Sequence, residues 1–173
     1  LIRILSQKSA AVDSSGRWMR DWFTVIGDII NGINKSRVTW SGKRITYTGA
    51  TAPYLATTIS AQVGNTGLLR LVINTATTNS ANAKSVQVKI NDVTAIVADI
   101  DASTEKQVID VMVAGSGSSL QYCSASGASC TISQSGQTSI DISGNSTVAI
   151  YLIISDSADS ISLESWALYA EQQ

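Results

Sequence analysis

Two hydrophobic periods divide the chain. Residues 13 to 35 repeat every three to four positions, with Met19, Trp22, Ile26, Ile29 and Ile33 in one stripe and Trp18, Phe23, Val25 and Ile30 widening it. That spacing predicts an amphipathic α-helix, and Asp13, Ser14 or Ser15 can cap its start by accepting from the free amides of the first turn. Gly27 and Gly32 each cost about 1 kcal/mol relative to Ala, so the helix needs a partner. The stripe suits docking on the chain's own body. It equally suits a seam between copies, where Ile-rich heptad positions favour three or more strands.

After Asn34 the period becomes two. Arg37 to Trp40 and Arg44 to Tyr47 read as strands joined in a hairpin at Ser41-Gly42-Lys43. Further strands are expected at Tyr54 to Gln62, Leu68 to Asn74, Ser85 to Ile90, Val93 to Ala98, Gln107 to Ala114, Leu120 to Cys123, Thr138 to Ile142, Thr147 to Ile154 and Ser160 to Tyr169. Polar turn groups separate them, and Asn91-Asp92 fits a tight two-residue turn. Val148 to Ile154 is apolar on both faces, as in a central strand, and the final strand should pair deep in a sheet. The Ser/Gly-rich run from Gly115 to Gly136 reads as a long surface excursion. The expected fold is mainly β, an antiparallel β-sandwich or jelly roll in residues 36–173, preceded by an N-terminal segment, 1–35, that carries the amphipathic helix and serves anchoring or oligomerisation.

Composition narrows the chemistry. The 173 residues include no His, two Cys and one Pro, and only 14% are charged. Ser and Thr supply about a quarter of the chain, a share that favours strands and turns over helix interiors. Without His, neither a Ser-His-Asp nor a Cys-His nucleophile can be built, and two Cys cannot make a four-thiolate zinc site. No metal site and no cofactor is expected. A net charge of −1 lacks the basic footprint of a nucleic-acid binder, and no stretch reaches the length of a membrane span. The opening Leu1-Ile2-Arg3-Ile4-Leu5 is too short for a signal peptide and has no small-residue cleavage pattern.

Several groups of residues remain to be weighed. Cys123 and Cys130 enclose six small residues and could close a loop as a disulfide in an oxidising setting, or stay reduced. Asp99 with Asp101, Asp110, and Asp156 with Asp159 could supply an acid and a base for glycosidic cleavage, and Asp99 with Asp101 or Asp156 with Asp159 oxygen ligands for calcium; Asp residues in turns more often accept from the local backbone. Trp40 and Tyr47 alternate as sheet-packing residues do, whereas Tyr54 and Tyr122, beside Pro53 and the Cys loop, are the better candidates for exposed rings that stack on a sugar.

Arg17-Trp18-Met19-Arg20-Asp21-Trp22-Phe23-Thr24-Val25-Ile26-Gly27-Asp28, an aromatic amphipathic helix leading straight into a Ser/Thr-rich β body, resembles the small fibre, spike or other virion-surface proteins of tailed bacteriophages. The resemblance implies a homotrimer on the virion, tail or capsid surface. Trp18, Met19, Trp22, Ile26, Ile29 and Ile33 would anchor it to other virion proteins or to its own copies, and the β domain would face outward for attachment to a host-surface glycan. The other classes are a tail or capsid decoration protein with no ligand and, less in keeping with the composition, a glycan-degrading enzyme.

Overall fold

The structure, a computed structural model, describes residues 36–63, 67–115, 120–134, 136–142 and 144–171. The expected helix, with Trp18, Met19, Trp22, Ile26, Ile29 and Ile33, lies outside the described residues. The described chain is antiparallel β throughout.

Twelve strands are formed: β1 (Ser36–Ser41), β2 (Ile45–Thr48), β3 (Tyr54–Gln62), β4 (Leu68–Thr77), β5 (Lys84–Ile90), β6 (Val93–Ile100), β7 (Lys106–Ala114), β8 (Leu120–Ser126), β9 (Cys130–Gln134), β10 (Gly136–Ser139), β11 (Asn145–Ile154) and β12 (Ser160–Glu171). One sheet runs β1-β12-β4-β7-β8-β10, with β2 also on β12, and the other runs β3-β11-β5-β6-β9. Neither sheet closes into a barrel. The quartets β1-β12-β4-β7 and β3-β11-β5-β6 have the interleaved order of a jelly roll, and β8 to β10 extend it between its sixth and seventh strands.

The core lies between the sheets. Alternation along β4 buries Leu69, Leu71 and Ile73, along β7 Ile109, Val111 and Val113, and along β11 Val148, Ile150, Leu152 and Ile154. Period two sends every second side chain inward, so one register suffices to bury each set. As expected, β11 is central, between β3 and β5. Its outward Tyr151 is half-buried, with the Lys89 ammonium 5.0 Å from the ring centre. The last strand, β12, is also central and pairs with β1, β2 and β4.

Two expectations are corrected. Arg37 to Trp40 and Arg44 to Tyr47 do not form a hairpin: β1 pairs with Trp166–Glu171 and β2 with Ser160–Leu163. They are two lengths of one broken edge strand, both antiparallel to β12. Ser41 Oγ accepts from the Lys43 amide at 3.2 Å, a local bond that interrupts the strand without reversing it. The run from Gly115 to Gly136, expected as a surface excursion, contains β8, β9 and the start of β10. Its small residues fit sheet positions because neighbouring strands supply the hydrogen bonds.

The Asn91-Asp92 turn is formed as expected. Both residues have positive φ, 49° and 65°, as a two-residue turn matched to strand twist requires. Asn91 also stitches this turn to the next strand: its Nδ2 donates to the Asp141 carbonyl at 2.6 Å, and its Oδ1 accepts from the Thr147 amide at 2.8 Å.

Candidate functional site

The outward face of the larger sheet departs from the usual rule that apolar residues face the core. On β1 the apolar members of the alternation point out: Val38 is exposed and Trp40 is 73% exposed, while Thr39 lies opposite Leu168 of the inward-facing row. Across the sheet from Val38 come Tyr169, Arg70 and Met112 in one hydrogen-bonded row, and from Trp40 come Ala167, Val72 and Asp110 in the next. Tyr122, 58% exposed, stands on β8 beyond Ala114. Three exposed rings, Trp40, Tyr169 and Tyr122, thus share one sheet face with polar groups between them. Exposed rings set among hydrogen-bonding groups on one sheet face make it the candidate contact surface.

Polar order on this face is fixed by pairing. Arg70 Nε donates to Asp110 at 2.9 Å (Oδ1) and 3.1 Å (Oδ2), and its Nη2 completes a fork on Oδ2. That carboxylate pushes the Arg70 guanidinium pKa higher still. Asp110, one of the carboxylates considered for catalysis, is therefore engaged by a cation.

Beside Trp40 the sheet is dented. In β12 the alternation changes phase, from Ile161 and Leu163 inward to Trp166, Leu168 and Ala170 inward, and the pairing register shifts between Leu163 and Ser165. The extra residue is Glu164, and it meets the break between β1 and β2. Arg44, from that break, places Nε 3.0 Å from Glu164 Oε1 and donates from Nη2 to Ser162 Oγ at 3.3 Å. An open groove of about 510 Å³ runs from this pair over Asn74 and Ala76 to Lys106 and Val108 of β7. Asn74 Nδ2 donates to Ser165 Oγ at 2.8 Å on its floor. The Trp40 indole stands over the Ser41–Lys43 break, its Cζ3 3.9 Å from where a side chain on Gly42 would begin. A second cleft, about 250 Å³, opens between the sheets at the β1 and β3 edges, and its polar lining of Thr39, Ser60, Gln62 and Asn145 carries no charge.

The other residues singled out above are scattered. Tyr54 lies on the smaller sheet and stacks on Tyr47, ring centres 4.8 Å apart, while Tyr47 is buried and donates its hydroxyl to the Ala52 carbonyl. Tyr54 and Tyr122 therefore do not share a surface. Trp40, expected as packing, is instead the most exposed ring among the described residues. Its outward aim follows from the β1–β12 register, which sets Trp40 opposite Ala167, between the inward Trp166 and Leu168, a pairing more than a hundred residues apart in the sequence.

Cys123 and Cys130 are both thiols in this structure, on strands of different sheets: Cys123 pairs with Val113 and Gly136, Cys130 with Ile100. Burial pushes the Cys130 thiol pKa up, and Asp101 and Asp99 add to it, so it stays protonated at neutral pH. Gln107, from β7, holds the turn between them, accepting from the Ser129 amide at 3.0 Å and donating to the Val108 carbonyl at 2.7 Å.

Asp159 is part of a buried knot. Lys84, 2% exposed, donates Nζ to Ser80 Oγ at 2.8 Å and the Asn82 carbonyl at 2.9 Å; Ser80 Oγ in turn lies 2.9 Å from Asp159 Oδ2. The Ser80 hydroxyl first, then Asn82, Lys84 and Thr78, hold the Asp159 carboxyl below its usual range against the effect of burial. This is architecture at the end of the sandwich, tying β5 to β12. Among the described residues no three His, Cys, Asp or Glu side chains gather as a metal site, and no helix is long and apolar enough to cross a membrane.

No protein-family model matches the chain, and no curated protein matches it. Among solved structures it is similar to latent PorU from Porphyromonas gingivalis, at 9% identity and a TM-score of 0.40, over 78% of this chain but 12% of that one. It is similar to the alginate lyase AlgAT5 of polysaccharide lyase family 7, at 13% identity and a TM-score of 0.35, over 66% of this chain and 63% of that one. It is also similar to the CBM2 module of an evolved Dit from Lactobacillus casei BL23 phage J-1, at 12% identity and a TM-score of 0.32, over 66% of this chain and 69% of that one. At these scores the likeness assigns no activity, and the architecture rests on the strand pairings above.

Proposed function

We propose that this chain is the outward-facing β module of a virion fibre or spike, trimeric through the 13–35 segment, and that it acts by binding a host-surface glycan and not by turnover. The observation that supports the reading is the outward face of the larger sheet, where Trp40, Tyr169 and Tyr122 stand exposed among hydrogen-bonding side chains. A sugar ring has an apolar C–H face and a polar rim. An aromatic ring carries negative charge density on its face, so it attracts the C–H side, and neighbouring hydroxyl, amide and charged groups satisfy the rim. The virion setting comes from the resemblance of residues 17–28.

Glycan-array binding tests it. Wild-type protein should bind a restricted set of oligosaccharides, Trp40→Ala should abolish binding and Tyr122→Ala should weaken it. Tyr54→Ala, on the other sheet, should leave it intact. A second reading, a decoration protein with no ligand, draws on the same face: Val38, Tyr169 and Met112 are exposed apolar groups that another virion protein could cover. An array with no binding at all selects that reading.

A further inference from the structure

We propose that the groove over the β12 bulge is a subsite for an acidic sugar, held through its carboxylate, with Lys106 as the principal cation. The proposal rests on the glycan-attachment reading and names the ligand class of that same face.

Charge bookkeeping within the groove carries the argument. Its lining holds two cations, Arg44 and Lys106, and one anion, Glu164. Glu164 is committed to Arg44 at 3.0 Å, and the nearest strand carboxylate, Asp110, is committed to Arg70. Lys106 forms no ion pair among the described residues. It stands on the outward face of β7 in register with Ala76, which in turn faces Ser162. Small side chains at Ala76 and Ser162 leave the floor low between Lys106 on one bank and the Arg44–Glu164 pair on the other.

The geometry orders Arg44 as well. With Nε on Glu164 and Nη2 on Ser162, the guanidinium is held on its bank, and its remaining edge is pre-set as donor toward the groove. An ordered fork and a free ammonium across a polar floor match a carboxylate, whose two oxygens can be shared between them. Asn74, on the groove lining and bonded to Ser165, then offers its amide to the rest of the sugar ring.

The test uses the full chain on an array of neutral oligosaccharides and of uronate-, sialate- and sulfate-bearing ones, followed by titration calorimetry with the best binder and with its carboxyl-reduced form. The expected result is preference for uronate or sialate members, with affinity falling as salt rises and lost on carboxyl reduction. Lys106→Ala should lower the affinity about tenfold, as loss of one charge-assisted contact does. Glu164→Gln removes the only anion in the groove and should raise affinity for the acidic ligand, an outcome that a merely structural role for Glu164 does not produce. Lys89→Ala, a cation removed from the opposite sheet, should change nothing, and thermal transitions verify that each variant is folded.

Binding confined to neutral or sulfated members, or binding to an acidic one that Lys106→Ala leaves unchanged, overturns the acidic subsite while the attachment reading stands. No binding to any member overturns both.

Discussion

Gly127 shows how little room a single position can leave. It sits in the turn between β8 and β9, and a Cβ there would collide with Cys130 Sγ and Gln107 Nε2 and stand 3.0 Å from the Val108 carbonyl oxygen. Two of these neighbours are held, Gln107 by its bonds to Ser129 and Val108 and the carbonyl by the sheet. Gly127→Ala should therefore cost about 1–3 kcal/mol, the usual effect of forcing extra volume into a packed site, read as a lowered chemical-denaturation midpoint with an unchanged slope. Asp159 makes a different prediction. Its folded-state pKa lies below the usual 3.8, so the ionised form is the one that the fold favours. The stability it adds is complete at pH values above the unfolded-state pKa and is lost as pH falls through the depressed folded value. Wild-type stability should decline on acidification toward and below that range, and Asp159→Asn should flatten this part of the pH profile while lowering stability at neutral pH, because it leaves Lys84 buried beside a neutral group. A profile of unchanged slope in the variant would mean that other carboxylates govern the acid limb.

Strands show which physical signals reach the surface of a sequence. β3 begins and ends where alternation and turn residues placed it, Tyr54 to Gln62, and the turn at Asn91-Asp92 is formed, because each depends on neighbours within a few residues. The pairing of β1 and β2 was not legible, since Ser41-Gly42-Lys43 reads the same whether the chain reverses or only breaks, and the partner that decides it, β12, lies more than a hundred residues away. β9 was hidden for a related reason: Cys130 to Gln134 is too small and polar to signal a strand, and it is one because β6 offers an edge. The candidate site fell between these cases. Tyr54 and Tyr122 are both exposed, as their places beside Pro53 and the Cys loop suggest, but Trp40 reads as packing because apolar alternation normally faces a core, and β1 turns that face outward. Partner strands also predict where the fold is most vulnerable. β12 lies between β4 on one side and β1 and β2 on the other and contributes Ile161, Leu163 and Leu168 to the core. Truncation at Ser160 removes a central strand, leaves β1 and β2 without a partner and β4 with an open edge, and should abolish the cooperative thermal transition. A truncated chain that still melts cooperatively would show that the two sheets hold without it.

At the scale of the whole molecule, low charge and abundant hydroxyls acquire a physical meaning from where the apolar residues go. The inter-sheet core takes Ile, Leu and Val from β4, β7, β11 and β12, so the domain from Ser36 onward has a core of its own to melt. We propose that the Ile-rich stripe of residues 19 to 33 serves contact between chains, since its three-and-four spacing with Ile at successive positions is the pattern that favours a seam of three. The two functions then separate by mutation. Ile26→Asp with Ile29→Asp places two charges in such a seam, where burial of an unpaired carboxylate is prohibitive, so native mass in solution should fall from trimer to monomer. The β domain's thermal transition should persist, and so should glycan binding per subunit through Trp40. Avidity on a surface coated with the same glycan should nevertheless drop by orders of magnitude, because three linked sites rebind at high effective concentration and one does not. An unchanged native mass in the double variant rules out the seam, and a mass that falls together with loss of the thermal transition shows instead that the stripe belongs to the fold of the β domain itself.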